Sequence, residues 1–235
     1  MRRIQSPAGL LSECFSLAGK VVVDVGCGTG DLVRWMAGQG ALVTGIDTTK
    51  MLERAEKNPP TGGENYLVGC AEALPLPDNC TDVILYIASF HHVPEDKEFN
   101  ALEECHRVLK SKCHAFFVEP IAQPDSYYQI TRLIEDEAEI QAKAYKALQA
   151  AGRIGLEMKS EDIFYVARSF ADYLTLLEIF IGDDQRRNEV LARAREVTER
   201  LCAEAQISFE DYRYPSICRA MLFEKTGVRP ECRSA

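Results

Sequence analysis

The sequence predicts an α/β fold with a mostly parallel sheet, and three observations predict it. Apolar runs rich in β-branched and aromatic residues alternate with helical patterns through the first half of the chain. Those runs are continuously apolar, as in strands covered on both faces, whereas a sheet with one wet face alternates. The first run leads without a break into glycines at 26, 28 and 30 and then a helical stretch, the strand–turn–helix order of a βαβ unit.

Taken in order, strands are expected at 20–26, 41–47, 64–70, 81–88 and 113–120, with helices at 30–39, 49–57 and 95–110 between them. Right-handed crossovers then place helices on both faces of a Rossmann-like sheet. Its ligands bind beyond the carboxyl ends of the strands, near the point where strand order reverses. The turn at 26–30 falls at one such end. After Pro120 the pattern becomes helical: 125–152 carries Ile130, Ile134, Gln141, Tyr145 and Leu148 near helical spacing, and 168–180 and 186–205 follow a short stretch around 162–167. The acidic run 135–139 is expected on a solvated helix face. Residues 207–227 read as two short strands, a terminal β-hairpin that brings the sheet to seven strands, and the tail 228–235 is expected to fray. The chain reads as a single domain over 1–235, with 121–185 a helical insertion after the fifth strand.

A formal net charge of −9 disfavours attraction to nucleic acid or an anionic membrane, and no run of Lys and Arg advertises a basic patch. The nine cysteines form no C-x-x-C pair. Reduced thiols in a cytoplasmic protein fit that pattern better than a disulfide framework or a zinc site. The opening "MRRIQSPAGLL" lacks the apolar stretch of a signal peptide, and the longest apolar runs fall short of a membrane span. The expectation is a cytoplasmic protein with no metal, nucleic-acid or membrane partner; its oligomeric state is not written in the sequence.

The glycine turn narrows the ligand. The pattern is D-x-G-x-G-x-G from Asp24, whereas the dinucleotide fingerprint would put its third glycine at 31, where Asp31 stands. A carboxylate at Asp24 would repel a pyrophosphate but suits a ligand carrying an ammonium and a sulfonium. The second strand ends in Asp47, placed to accept hydrogen bonds from both hydroxyls of a ribose, and Met51 follows one helical turn on, placed to lie against an adenine face. After the third strand, "VGCAEALPLPDN" supplies the Ala71 N–H and a neighbouring side chain for an adenine edge. The fourth strand leaves through Ile87 into "ASFHHVPED".

In order and spacing, "DVGCGTG", "GID", "CAEALPLPD" and "HHV…LEECHRVLKS" resemble the class I S-adenosylmethionine-dependent methyltransferases, especially the group that methylates small molecules. The resemblance covers roughly residues 15–120 together with the terminal hairpin, which gives that family's sheet its reversed last strand. It implies S-adenosyl-L-methionine as cofactor and S-adenosyl-L-homocysteine as product. It also implies a site in which Asp24, Gly26, Cys27, Gly28 and Gly30 surround the methionine moiety, with Ile87 beside its methionyl end. Asp47 and Thr48 would then lie at the ribose, and Met51, Cys70, Ala71 and Glu72 around the adenine. The sequence departs from the family at Cys70, where an Asp is common and a thiol is a poor acceptor, and at Thr48, usually a hydrophobic residue. "LKSKCHAF" also lacks the common Pro-Gly-Gly turn. "NPPT" at 58–61 has the outline of an Asn-Pro-Pro-Tyr signature but lies after a helix rather than at the end of the fourth strand, and reads as a turn. The scattered cysteines show no arrangement like that of an arsenite methyltransferase.

His91 and His92 are the candidates for a general base; adjacent side chains point apart, so at most one faces the site. Glu119, at the end of the fifth strand, either holds a substrate amine or hydroxyl or bonds the neighbouring loop. Tyr127 and Tyr128 open the helical segment, as an aromatic lip around a sulfonium or as core, and Tyr165, Arg168 and Tyr173 are further candidates on the 121–185 cover. The reading is methyl transfer from S-adenosylmethionine to a small-molecule acceptor by in-line displacement, which needs alignment and desolvation more than a catalytic triad. A protein or RNA methyltransferase and a non-catalytic, cofactor-binding regulatory protein are the alternatives. The acceptor atom is not written in the sequence.

Overall fold

The computed structural model describes residues 4–123, 125–181 and 184–226, so the expected frayed tail and Cys232 lie outside the described residues. The elements are α1 (Pro7–Cys14), β1 (Val21–Val25), α2 (Asp31–Gly38), β2 (Leu42–Asp47), α3 (Thr49–Ala55), β3 (Glu64–Val68), β4 (Thr81–Ile87), α4 (Glu98–Val108), β5 (Leu109–Pro120), α5 (Ser126–Thr131), α6 (Ala138–Gln149), β6 (Leu156–Arg168), α7 (Phe170–Phe180), α8 (Asp184–Ala205) and β7 (Tyr214–Lys225). They build an open seven-stranded sheet in the order β3-β2-β1-β4-β5-β7-β6. The pairings β1–β2, β1–β4, β2–β3 and β4–β5 are parallel. Chain order reverses between β1 and β4, which puts the glycine turn at the switch point, where α/β sheets take their ligands.

The chain folds as two compact units. Among the described residues the larger comprises 7–119, 140–162 and 219–226, and the smaller 4–6, 120–139 and 163–218. Each has its own core. In the larger unit, Val23 and Val25 of β1, Ile84 and Tyr86 of β4, and Ala115 and Phe117 of β5 share a face with Ala101, Leu102 and Cys105 of α4 and Ala144 and Leu148 of α6. The period of two along each strand sends the intervening residues to the opposite face, where Phe15 meets the Phe116 ring edge-on at 5.9 Å. In the smaller unit, Tyr127, Ile130, Tyr173, Leu177, Ala194, Tyr212 and Tyr214 pack together.

Four local expectations are corrected. The region 207–227 is not a hairpin: β7 is one 12-residue strand, and its neighbour β6 comes from residues 156–168, with α7 and α8 between them. The burial pattern of β6, exposed over most of Glu157–Asp162, hides it from a search for apolar runs; only its end, 162–167, stands apart from the helical pattern, as a short stretch. The helix expected at 125–152 breaks after Thr131. Asp136, inside the acidic run, accepts from Ala138 N (3.2 Å) and the Tyr128 hydroxyl (2.7 Å), so the run begins α6 rather than lining a helix face. Finally, β5 starts at Leu109: the segment without a Pro-Gly-Gly turn continues as strand, with Lys112 at φ +59° and a register shift opposite Thr81 and Val83.

None of the eight described cysteines is in a disulfide. No helix among the described residues is long and apolar enough to cross a membrane.

Candidate cofactor site

The turn after β1 is tied to β2 by Gly26 N and Cys27 N, which both donate to Ile46 O, at 2.8 and 3.2 Å. Two of its glycines are demanded by contact as well as by backbone. Gly26 sits at φ +74°, and a Cβ there would come within 2.4 Å of Ser89 Cβ. Gly30, at φ +73°, would meet the Tyr66 hydroxyl at 2.4 Å. Side chains rarely adopt this left-handed backbone. Ser89 is held in place by its hydroxyl, which donates to Val25 O at 2.6 Å.

Asp47, at the end of β2, faces back to the same turn. Its Oδ2 accepts from Gly28 N at 2.8 Å and its Oδ1 from Thr48 N at 2.7 Å. A carboxylate offers about four lone-pair sites, so one on each oxygen remains for a ligand's hydroxyls. The Met51 methyl stands 3.9 Å from where a Cβ on Gly28 would lie.

Asp24 is the unusual group. Its side chain is buried, at 2% exposure, and Oδ1 has no hydrogen-bond partner. Burial, and then the charge of Asp47, push its carboxyl from 3.8 up to about 7. A buried carboxylate without a partner is costly unless a cation approaches it.

The remaining residues proposed for a cofactor divide by where their side chains go. Cys27 is buried, its sulfur fitting over Gly45, where a Cβ would lie 2.8 Å away; only its backbone is left for a ligand. Burial pushes its thiol well up, with Asp24 and Asp47 adding to it. The Ala71 side chain packs into the core, leaving its backbone. Cys70 is exposed and its carbonyl accepts from Ala73 N at 3.2 Å, forming a tight turn, while Glu72 and Ile87 are half-buried. Burial, then the Glu72 carboxylate, raise the Cys70 thiol.

The sequence reading missed what holds that loop. Arg107 donates to Leu76 O (2.7 Å), Leu74 O (3.1 Å), Asp78 (2.8 Å) and Glu104 (2.6 Å), and Glu104 accepts from Leu74 N at 2.8 Å. The signal was present as Glu104-x-x-Arg107, an i,i+3 pair on α4, but its target lies some thirty residues upstream.

At the exit of β4 the backbone turns through Ala88 at φ +51° into a 3₁₀ turn, Phe90–His92. Phe90 anchors it, wedged edge-on between Tyr86 (5.6 Å) and Phe117 (5.3 Å). Glu119 Oε1 accepts from Phe90 N at 2.9 Å, and its Oε2 meets His91 Nδ1. Glu119 therefore bonds the neighbouring loop, one of the two roles expected for it. His91 is buried and His92 exposed, yet their rings lie 4.1 Å apart. The expectation that they diverge came from strand geometry, which the 3₁₀ turn does not follow.

Tyr127 and Tyr128 belong to the smaller unit. Tyr127 is buried in its core, 6.0 Å from the Tyr214 ring. Tyr128 donates to Asp136 and carries Arg132 over its ring at 5.8 Å. Tyr165 is tied through its carbonyl to Gln5 N at 2.9 Å, and Tyr173 is fully buried.

An open sheet in this order, with a glycine turn at its switch point and an acid closing the second strand, is the fold of the class I S-adenosylmethionine-dependent methyltransferases. Comparison with known proteins agrees. Residues 23–117 match the model of a family described as a methyltransferase domain. Ubiquinone biosynthesis O-methyltransferase of Pseudomonas entomophila (strain L48) is 36% identical over 122 residues, covering 50% of this chain and 51% of that protein. The same-named enzyme of Pseudomonas putida (strain W619) is 37% identical over 122 residues, again 50% of this chain and 51% of the relative. The chain thus spans about half the length of the curated relatives it matches. Among solved structures, a methyltransferase-fold protein of Bacillus halodurans C-125 superposes with a TM-score of 0.65 at 20% identity, over 94% of this chain and 100% of that one. The (4+2)-cyclase SpnF superposes at 0.61 with 21% identity, over 93% and 79%. These likenesses bear on the fold.

Proposed function

We propose that the protein transfers a methyl group from S-adenosylmethionine to a small-molecule acceptor. The observation that carries the reading is Asp24: a buried carboxylate with an unpartnered oxygen, two residues before a glycine turn, is matched by a ligand bearing an ammonium. The donor set fits the rest of the cofactor. Asp47, oriented by Gly28 N and Thr48 N, would accept from the ribose hydroxyls, and Met51 with the backbone at Cys70–Glu72 would border the adenine. No phosphate-binding feature competes, since Asp24 and Asp47 would both repel one.

When bound, S-adenosylmethionine supplies a methyl carbon already activated by its sulfonium. The protein's residues then bind and align. Asp24 fixes the cationic end, Asp47 the sugar, and Glu119 holds the β4 exit, where His91 and His92 stand as the candidate bases for an acceptor that must lose a proton. Relatives at 36–37% identity that are named for ubiquinone biosynthesis favour an acceptor of small-molecule size.

The test is methyl-labelled S-adenosylmethionine with pure protein and a cell extract, separated through a small-pore filter. Label in a new filtrate compound supports the reading and supplies the product. Label retained on protein or RNA refutes a small-molecule acceptor.

A further inference from the structure

The proposed cofactor site leaves Arg168 unused. Arg168 ends β6, directly before the capping box of Ser169 and Asp172 that starts α7. It is half-buried, its Nε is buried without a hydrogen-bond partner, and it makes no ion pair among the described residues. Its guanidinium carbon lies 5.9 Å from the centre of the Tyr127 ring. A guanidinium over an aromatic face is attracted to it, but that contact satisfies none of its N–H groups.

Tyr173, on the first turn of α7, presents a second orphan: its side chain is fully buried and its hydroxyl has no partner. Tyr127 links the two, its phenol being close enough to feel the charge of Arg168, which lowers it, and the presence of Tyr173 and Tyr214, which raise it against a background of burial. The neighbours that might have served as partners are engaged. The Tyr214 hydroxyl donates to Thr198 Oγ1 at 2.7 Å. Asp172, whose charge also reaches Tyr127, accepts from Ser169 N at 2.6 Å and Ser169 Oγ at 2.9 Å.

Both orphans can donate, and an arginine Nε can do nothing else. Buried donors in folded proteins are normally satisfied, and a guanidinium is shaped to take a planar carboxylate through two parallel N–H groups. The aromatic rings near them are Tyr127, with Tyr214 at 6.0 Å from it, and Phe170, at 5.6 Å from Tyr173. We propose that the smaller unit binds a small aromatic carboxylate, with its carboxylate on Arg168 and the Tyr173 hydroxyl and its apolar body among the tyrosines. Its binding is independent of the function proposed above.

The experiment is calorimetric titration of the full chain with benzoate and with benzamide, its neutral counterpart, in parallel with S-adenosylhomocysteine. Benzoate is expected to bind wild type at least about tenfold more tightly than benzamide. Arg168→Met, which keeps the volume and removes the charge, should weaken benzoate about 10- to 100-fold and leave S-adenosylhomocysteine unchanged; Tyr173→Phe should weaken it about 3- to 10-fold. Equal affinity for benzoate and benzamide overturns the proposal without any variant, as does undiminished benzoate binding by Arg168→Met. Charge-selective binding of benzoate by a protein that ignores S-adenosylhomocysteine sustains this site and refutes the cofactor reading alone.

Discussion

Replacing Asp24 with Asn tests whether a stability cost has been built into the cofactor site. The carboxyl ionises near 3.8 in an unfolded chain and near 7 in the folded one. Below 3.8 both states hold the proton. Between the two values the native state keeps a proton that the unfolded chain has released, so stability falls as pH rises, and above about 7 the loss is complete. At ~1.4 kcal/mol per pH unit the whole displacement amounts to ~4 kcal/mol, of which ~2.5 kcal/mol is lost between pH 5 and pH 8. Asn carries no charge and escapes this loss, although its buried amide lacks partners and costs ~1–3 kcal/mol in return. Without cofactor, Asp24→Asn should therefore be the more stable protein at pH 8, by ~1–3 kcal/mol, and should lose that advantage at pH 5. Urea unfolding followed by the fluorescence of Trp35, the one tryptophan, on α2 of the larger unit, reads this directly. The same variant should bind S-adenosylhomocysteine ~10- to 100-fold more weakly, the loss of a charged hydrogen bond. A stability gap between the two proteins that is the same at pH 5 and pH 8 would refute the reasoning, because the buried charge would then not be its source.

Other expectations are simpler to read. Cofactor affinity of the wild type should rise as pH rises through about 7, where Asp24 acquires its charge, and calorimetry across pH 6–8 checks it. Asp47→Ala should reduce that affinity at least ~10-fold and also loosen the turn, since Gly28 N and Thr48 N lose their acceptor; unchanged affinity would remove Asp47 from the site. Gly26→Ala forces a side chain onto Ser89 at φ +74° and should cost ~1–3 kcal/mol in urea unfolding. Glu119→Ala leaves Phe90 N and His91 without their buried acceptor and should lower stability by ~2 kcal/mol or more. Glu119→Gln keeps an acceptor for Phe90 N and should recover most of that loss.

The sequence alone determined the strands β1 to β4, the glycine turn and the position of Asp47. Each follows from local chemistry, namely apolar β-branched runs, glycines where φ is positive, and an acid placed at a strand end. The helices α7 and α8 were legible as helical regions at 168–180 and 186–205, the second through its Glu and Arg at i,i+3 and i,i+4. The tertiary structure decided what depends on contacts distant in the chain. It made β6 the neighbour of β7 across two intervening helices, and its wet face hid the strand from any apolar pattern. It turned the Cys27 thiol toward Gly45, engaged Glu119 with the Phe90–His92 turn, and made Arg107 the holder of the loop after β3. It also left Asp24 and Arg168, two charges with no partner in sequence, in places where burial makes that lack costly. A sequence names the charge; only packing removes the water that would otherwise satisfy it.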